Sequence, residues 1–94
     1  MGSALGFIEM PNLTDAVEAL DVMLKTATVE FVTWEKKLGG RLVTTIVRGE
    51  VSAIKAAVDA AKHSGAGKIV ASAVIANPHS ETEKMVAISA ARFR

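Results

Sequence analysis

The chain has 94 residues, enough for one modest domain, and half of them are hydrophobic. Its 11 basic and 10 acidic residues leave a net charge of +1, which argues against a nucleic-acid binder driven by bulk charge. The absence of cysteine excludes disulfides, thiolate metal sites and a thiol nucleophile. Because a domain of this size has little interior, the apolar excess predicts interfaces between subunits.

The beginning of the chain predicts a buried strand and an amphipathic helix. Ala4 to Met10 is a short apolar run ended by Pro11, as is typical of a strand. Apolar residues then recur at helical spacing from about Thr14 to Thr26. Asn12 or Thr14 can cap this helix, because both side chains accept a hydrogen bond from a free backbone amide. Residues 1–3 do not resemble a signal peptide, and we interpret them as partly a cloning remnant.

A hairpin and a second helix follow. Thr28 to Lys37 and Leu42 to Arg48 are rich in β-branched and aromatic residues, which predicts two strands. Gly39-Gly40 between them predicts a tight turn. After Gly49, apolar residues at helical spacing from Val51 to Ala61 predict a helix with many small residues on its packing side.

The last third of the chain predicts a strand and a short helix. Lys68 to Ala76 forms the fourth predicted strand. Ser80 and Glu83 have the spacing of a capping box, with Met85 to Ile88 as the apolar part of the helix they start. Residues 89–94 carry no clear signal, and we expect them to form a tail.

The predicted order, β-α-β-β-α-β-α, indicates an α+β fold of the ferredoxin-like type, with residues 1–94 as one domain. Right-handed crossovers give one four-stranded antiparallel sheet with the two main helices on one face, and a short C-terminal helix follows. The second face is then covered only if something else packs on it, which again favours a partner copy. No apolar run reaches the ~20 residues of a transmembrane helix, so no membrane partner is expected.

The sequence offers no catalytic or metal-binding constellation. His63 and His79 each lack a second ligand-type residue at metal spacing. No nucleophile elbow, triad or phosphate-binding loop is present. Asp15, Glu18 and Asp21 share a helix flank, and a solvated surface explains them better than acid-base chemistry does. We therefore expect neither an enzyme nor a cofactor.

Stretches along nearly the whole chain match, in order and spacing, those of a known family. They are Ala4-Leu5-Gly6-Phe7-Ile8-Glu9, Ala16 to Val29 with Asp21, Met23, Lys25 and Ala27, Leu42 to Val51, Ala53 to Ala61, and Asn77-Pro78-His79. The pattern resembles the bacterial microcompartment (BMC) shell domain of carboxysomes and of propanediol- and ethanolamine-utilisation compartments.

The resemblance implies the fold predicted above and a structural function. Single-domain members of the family form flat cyclic hexamers, which tile edge to edge into sheets that enclose enzymes in the bacterial cytoplasm. A central pore passes small polar metabolites, while the wall retains volatile or toxic intermediates. The implied partners are further copies of the chain, other shell proteins and the enclosed enzymes, with no nucleic acid among them.

The resemblance also assigns roles to residues that carry no other signal. The family's pore loop corresponds to Lys37, Leu38, Gly39, Gly40 and Arg41, and its edge between hexamers to Lys25, Thr28, Asn77 and His79. From the residues alone, an ordinary polar turn is the better interpretation of the hairpin. A cation at a helix C-terminus likewise explains Lys25.

Three departures from the family pattern bear on this function. Asn77 replaces the Arg that many relatives carry before Pro-His, which leaves the strength of lateral tiling open. Strand two is one residue longer before the pore loop, so we expect a β-bulge in it. Arg41 replaces the last glycine of the loop, and with Lys36 and Lys37 it places three cations per chain near the pore. These cations predict a pore mouth that favours anionic or polar neutral molecules.

Two other classes of function remain open. A regulatory ligand-binding module is the runner-up, because ferredoxin-like domains often bind metabolites between subunits. Such a module would be a small oligomer with a closed pocket, and it would form no sheets. A small enzyme with an interfacial active site is the third, disfavoured by the lack of acid-base or metal groups. Fold alone does not separate these classes.

Overall fold

A computed structural model describes residues 4–36 and 42–93 of the chain. The elements follow in the order β1 Ala4–Met10, α1 Leu13–Thr26, β2 Val29–Lys36, β3 Val43–Gly49, α2 Val51–His63, β4 Ala71–Ile75 and α3 Ser80–Phe93. The strands form one antiparallel sheet in the order β2-β3-β1-β4. The predicted α+β sheet is confirmed, whereas the predicted hairpin tip, Lys37 to Arg41, lies outside the described residues.

Both α1 and α2 pack on one face of the sheet, here called the helix face. The helices supply small and apolar side chains to the main core: Ala16, Ala19, Leu20, Met23, Ile54, Ala57, Val58 and Ala61. Helix α2 lies close to the sheet at Gly6, where an added Cβ would be 2.8 Å from Ile54 Cγ2. A glycine in β1 is therefore what lets the second helix sit this close.

The start of α1 distinguishes between the two predicted caps. Asn12 has an extended backbone, and its Oδ1 accepts a hydrogen bond from the Asp15 backbone amide at 2.8 Å. Thr14 already lies inside the first turn of the helix. Asn12 is therefore the N-cap, because its side chain satisfies an amide that has no partner within the helix.

A β-bulge interrupts β2, as the length of the strand predicts. Its register with β3 passes from Phe31↔Val47 to Thr33↔Ile46 and skips Val32. Side chains of a regular strand alternate between faces, so the extra residue reverses the alternation beyond it. Phe31 and Trp34, three positions apart, consequently share the helix face, with ring centroids 4.8 Å apart.

The third helix is longer than predicted and packs on the opposite face of the sheet, here called the α3 face. It runs over Ser80–Phe93, so the prediction of a tail from residue 89 was wrong. Val86 is buried there against Leu5 and Ile46. The argument for a partner copy from an uncovered second face is therefore weakened, because α3 covers part of this face.

The cap of α3 differs from the predicted capping box. His79 precedes the helix, and its Nδ1 accepts a hydrogen bond from the Glu81 backbone amide at 3.0 Å. The carbonyl oxygen of His79 accepts another from the Glu83 amide. Ser80 is the first helical residue rather than the cap. An imidazole nitrogen with a free lone pair performs here what a hydroxyl was expected to do.

The fourth strand is shorter than predicted and forms one edge of the sheet. It covers Ala71–Ile75 instead of residues 68–76, although the Val70 amide still donates to the Glu9 carbonyl at 2.8 Å. Asn77 then adopts a positive φ of 51°. Asparagine tolerates this left-handed conformation better than most residues, and the chain turns there towards α3.

Candidate assembly edge and pore entrance

The sheet has two ends with different candidate functions. Strands β1 and β2 begin, and β3 and β4 finish, at the end here called the Thr28 end. The opposite end, here called the hairpin end, is where β2 finishes at Lys36 and β3 begins at Val43. The eight residues of β2 separate the two ends by about 23 Å. The predicted pore segment, Lys37 to Arg41, comes between β2 and β3 in the sequence and lies outside the described residues.

Lys25 and Thr28 lie at the Thr28 end, beside the start of β2. Lys25 is in the last turn of α1, with its side chain 77% exposed and its Nζ 2.7 Å from Asp21 Oδ2. The hydrogen bond and charge of Asp21 raise the pKa of Lys25. Thr28 is exposed, and its backbone lies close to Gly49 at the end of β3, since a Cβ added to Gly49 would be 3.2 Å from the Thr28 carbonyl oxygen. Both candidate edge residues are thus accessible on one rim of the molecule.

Asn77 and His79 follow β4 and therefore lie at the same end of the sheet. Both are exposed, and the His79 ring is already engaged as the cap of α3. Since β2 and β4 are the two outer strands, these residues are about 14 Å across the sheet from Thr28. The structure thus places all four predicted edge residues along one rim, with Lys25 and Thr28 beside the start of β2 and Asn77 and His79 after the end of β4.

A salt bridge at this end was missed by the sequence analysis. Arg48 on β3 donates two hydrogen bonds to Glu83 on α3, at 2.6 and 3.0 Å. Arg48 lowers the pKa of the Glu83 carboxyl through the hydrogen bond and its charge. Glu83 in turn raises the pKa of Arg48 through the hydrogen bond and its charge, and the charge of Glu30 raises this pKa as well. The pair fastens the first turn of α3 to the sheet.

A second polar contact fastens α3 at the hairpin end. Glu35 Oε1 accepts a hydrogen bond from Arg92 at 3.0 Å and another from the Ser89 hydroxyl. Between this contact and Val86 lies a cavity of about 300 Å³. Its lining is mostly apolar, from Phe7, Ile46, Met85 and Val86, and its polar groups come from Glu35, Thr44, Ser89 and Arg92. The last turns of α3 therefore lie next to the base of the predicted pore hairpin.

The rest of the described chain offers little other chemistry. Residues 4–36 and 42–93 contain no group of three or more His, Asp or Glu side chains that could hold a metal ion. Within the same residues, no helix is long and apolar enough to cross a membrane.

Comparison with known proteins identifies the class to which this antiparallel sheet with its three helices belongs. The sequence profile of the BMC domain matches residues 4–78, so the chain belongs to the BMC domain family. It is 48% identical to the bacterial microcompartment shell protein PduA of Citrobacter freundii over 85 residues, covering 88% of this chain and 90% of that one. It is 46% identical to the carboxysome shell protein CsoS1C of Hydrogenovibrio crunogenus, covering 93% of this chain and 87% of that one.

A solved structure gives the same fold. The crystal structure of a microcompartment protein from Desulfitobacterium hafniense superposes with a TM-score of 0.75 at 23% identity. The match covers 92% of this chain and 47% of that one, so this chain spans about half its length. The family profile and the curated relatives define the chain as a shell protein of the BMC family and not an enzyme.

Proposed function

We propose that this shell protein assembles into cyclic hexamers that tile edge to edge, with a pore at the centre of each ring. The separation of the two ends of the sheet carries the proposal. A tile needs one region at its centre and another at its perimeter, and the hairpin end and the Thr28 end are about 23 Å apart. Residues 1–94 form one such unit, in the microcompartment shell within the bacterial cytoplasm.

The pore is built from Lys37, Leu38, Gly39, Gly40 and Arg41 of each subunit. Glycines let six chains approach one axis, and their backbone amides can face a passing solute. Lys36, which is exposed at the end of β2, adds to the cationic side chains of the loop. Six copies of these cations concentrate positive potential, which favours small anionic or polar neutral metabolites over cations.

The perimeter is built from Lys25, Thr28, Asn77 and His79. Lysines that meet across an edge repel each other unless their charge is offset. Asp21, 2.7 Å from Lys25, supplies that offset within each subunit. Asn77 offers fewer hydrogen-bond donors than an arginine, so we expect weaker lateral contacts than an arginine would give. The partners that we propose for this perimeter are other copies and other shell proteins, and the enclosed enzymes are proposed from the function of the family.

The first test of assembly is the mass of the purified protein by light scattering after size exclusion, with the same sample viewed by negative-stain microscopy. We expect six chains per particle, and sheets or tubes on the grid. Lys25→Ala should retain the hexamer and lose the sheets. Lys84→Ala is the matched control, because Lys84 is a similarly exposed lysine paired with Glu81 on its own helix. A monomer, dimer or trimer without arrays would instead favour a regulatory ligand-binding module.

The pore is tested separately by soaking crystals of the hexamer in bromide. We expect bromide near the six-fold axis in the unmodified protein and a clear loss in the Lys37→Ala, Arg41→Ala double variant. Equal bromide occupancy in both proteins would contradict the anion preference while leaving the hexamer intact.

A further inference from the structure

The base of the pore hairpin carries different charges on its two faces. Glu35 is opposite Thr44 in the β2–β3 register, and both line the cavity on the α3 face. Lys36 is opposite Val43, which belongs to the core beneath the helix face. Because directly opposed residues of antiparallel strands share a face, Glu35 lies on the α3 face and Lys36 on the helix face.

The carboxylate on the α3 face is neutralised from outside the sheet. Arg92, in the last turn of α3, donates to Glu35 Oε1 at 3.0 Å, and Ser89 donates to the same oxygen. Both partners keep access to solvent, with side chains 69% exposed for Arg92 and 39% for Glu35. The α3 face of the hairpin base thus has a charge near zero, while the helix face retains the cation of Lys36.

We propose that Arg92 is a specificity-determining residue of the pore, which cancels the Glu35 charge at the entrance on the α3 face so that anions can approach. The inference rests on the proposed function, because only a ring places six Glu35 side chains around one axis. Without Arg92, six uncompensated carboxylates at the base of the hairpin would lower the positive potential that an approaching anion meets. The α3 helix is then part of the entrance as well as a cover for the sheet.

The experiment compares unmodified protein, Arg92→Gln, Glu35→Gln and the double variant as hexamers crystallised and soaked in rubidium bromide. Anomalous scattering locates both ions at the entrance on the α3 face. We expect Arg92→Gln to lower bromide occupancy threefold or more and to raise rubidium occupancy. Glu35→Gln should raise bromide occupancy, because it leaves the Arg92 cation uncompensated, and the double variant should return to the unmodified level. Light scattering checks that each variant remains hexameric.

The two single variants are expected to change bromide occupancy in opposite directions, and this distinguishes an electrostatic effect from a structural one. Both substitutions break the same contact with α3, so a purely structural effect would change ion occupancy in the same direction. Changes in the same direction, or hexamers with equal bromide in all four proteins, would overturn the inference and leave the hexameric pore standing. A protein that forms no six-fold ring would overturn the proposed function as well.

Discussion

The salt bridge between Arg48 and Glu83 gives a quantitative prediction about how firmly α3 is held. The two hydrogen bonds are short and charge-assisted, and the side chains are 23% and 35% exposed. Fully exposed pairs contribute ~0.2–1 kcal/mol, whereas breaking a buried pair costs ~3–5 kcal/mol. With partial screening by solvent, we expect Glu83→Gln to weaken the docking of α3 by about 1 kcal/mol at neutral pH.

The effect must depend on pH in a defined direction. Docking to Arg48 lowers the pKa of Glu83 below its ordinary value of 4.5. A carboxylate with a lowered pKa stabilises the folded state above its unfolded-state pKa, and this contribution is lost as the pH falls through the folded-state value. The difference between the unmodified protein and Glu83→Gln should therefore be complete at neutral pH and disappear well below pH 4.5.

Hydrogen exchange followed by mass spectrometry measures this locally, with α2 as the internal reference. A change of about 1 kcal/mol corresponds to roughly fivefold faster exchange in α3, while α2 stays unchanged. Glu81→Gln is the matched control. Glu81 is also in the first turn of α3, so both variants lose a similar interaction with the helix dipole. Its own partner, Lys84, is 3.3 Å away and exposed, so we expect less than about a twofold change.

Two results would refute this reasoning. Equal acceleration of α3 exchange by the two variants at neutral pH would show that Arg48 contributes nothing beyond the helix dipole. Acceleration by Glu83→Gln that persists at acid pH would show that the charge of the carboxylate is not what holds the helix.

Two further predictions concern the core under the helix face. Gly6→Ala should lower the free energy of unfolding by about 1–2 kcal/mol, because the new Cβ would lie 2.8 Å from Ile54 and 3.1 Å from Val47. We expect the strain of these contacts to exceed the ~0.5–1 kcal/mol that is gained by removing a glycine from a strand. Thr45→Val should raise it by about 1 kcal/mol, because the buried Thr45 hydroxyl has no hydrogen-bond partner among the described residues. Urea unfolding at fixed protein concentration, followed by the fluorescence of the single tryptophan, measures both, and a shift of opposite sign would contradict either prediction.

Periodicity and turn residues predicted the elements of the fold well, because those signals are local. The strand at Ala4–Met10 and the helix packed on it follow from apolar spacing and from Asn12. The second half of α3 does not, because among residues 87–92 only Ser89 is buried, and it pairs with Glu35, 54 positions earlier. A helix stabilised mainly by distant polar partners leaves little periodicity in its own sequence.

The candidate site was predictable only in part, and through the family rather than through chemistry. The resemblance selected the edge residues, and the topology then placed all four at the Thr28 end. The Arg48–Glu83 pair had only one sequence signal, the position of Glu83 three residues after Ser80, which was interpreted as a capping box. Its true partner is 35 residues away, and single-sequence patterns do not report contacts at that separation.

The skipped position at Val32 has a consequence for how this protein can evolve. Point substitutions in β2 change one side chain and leave every other residue on its own face. Losing the Val32 codon would instead remove the bulge and leave a regular strand, in which the residues from Thr33 to Lys36 keep their β3 partners and therefore their faces. The bulge is thus a position at which the length of β2 can change by one codon while the two surfaces of the sheet keep their chemistry.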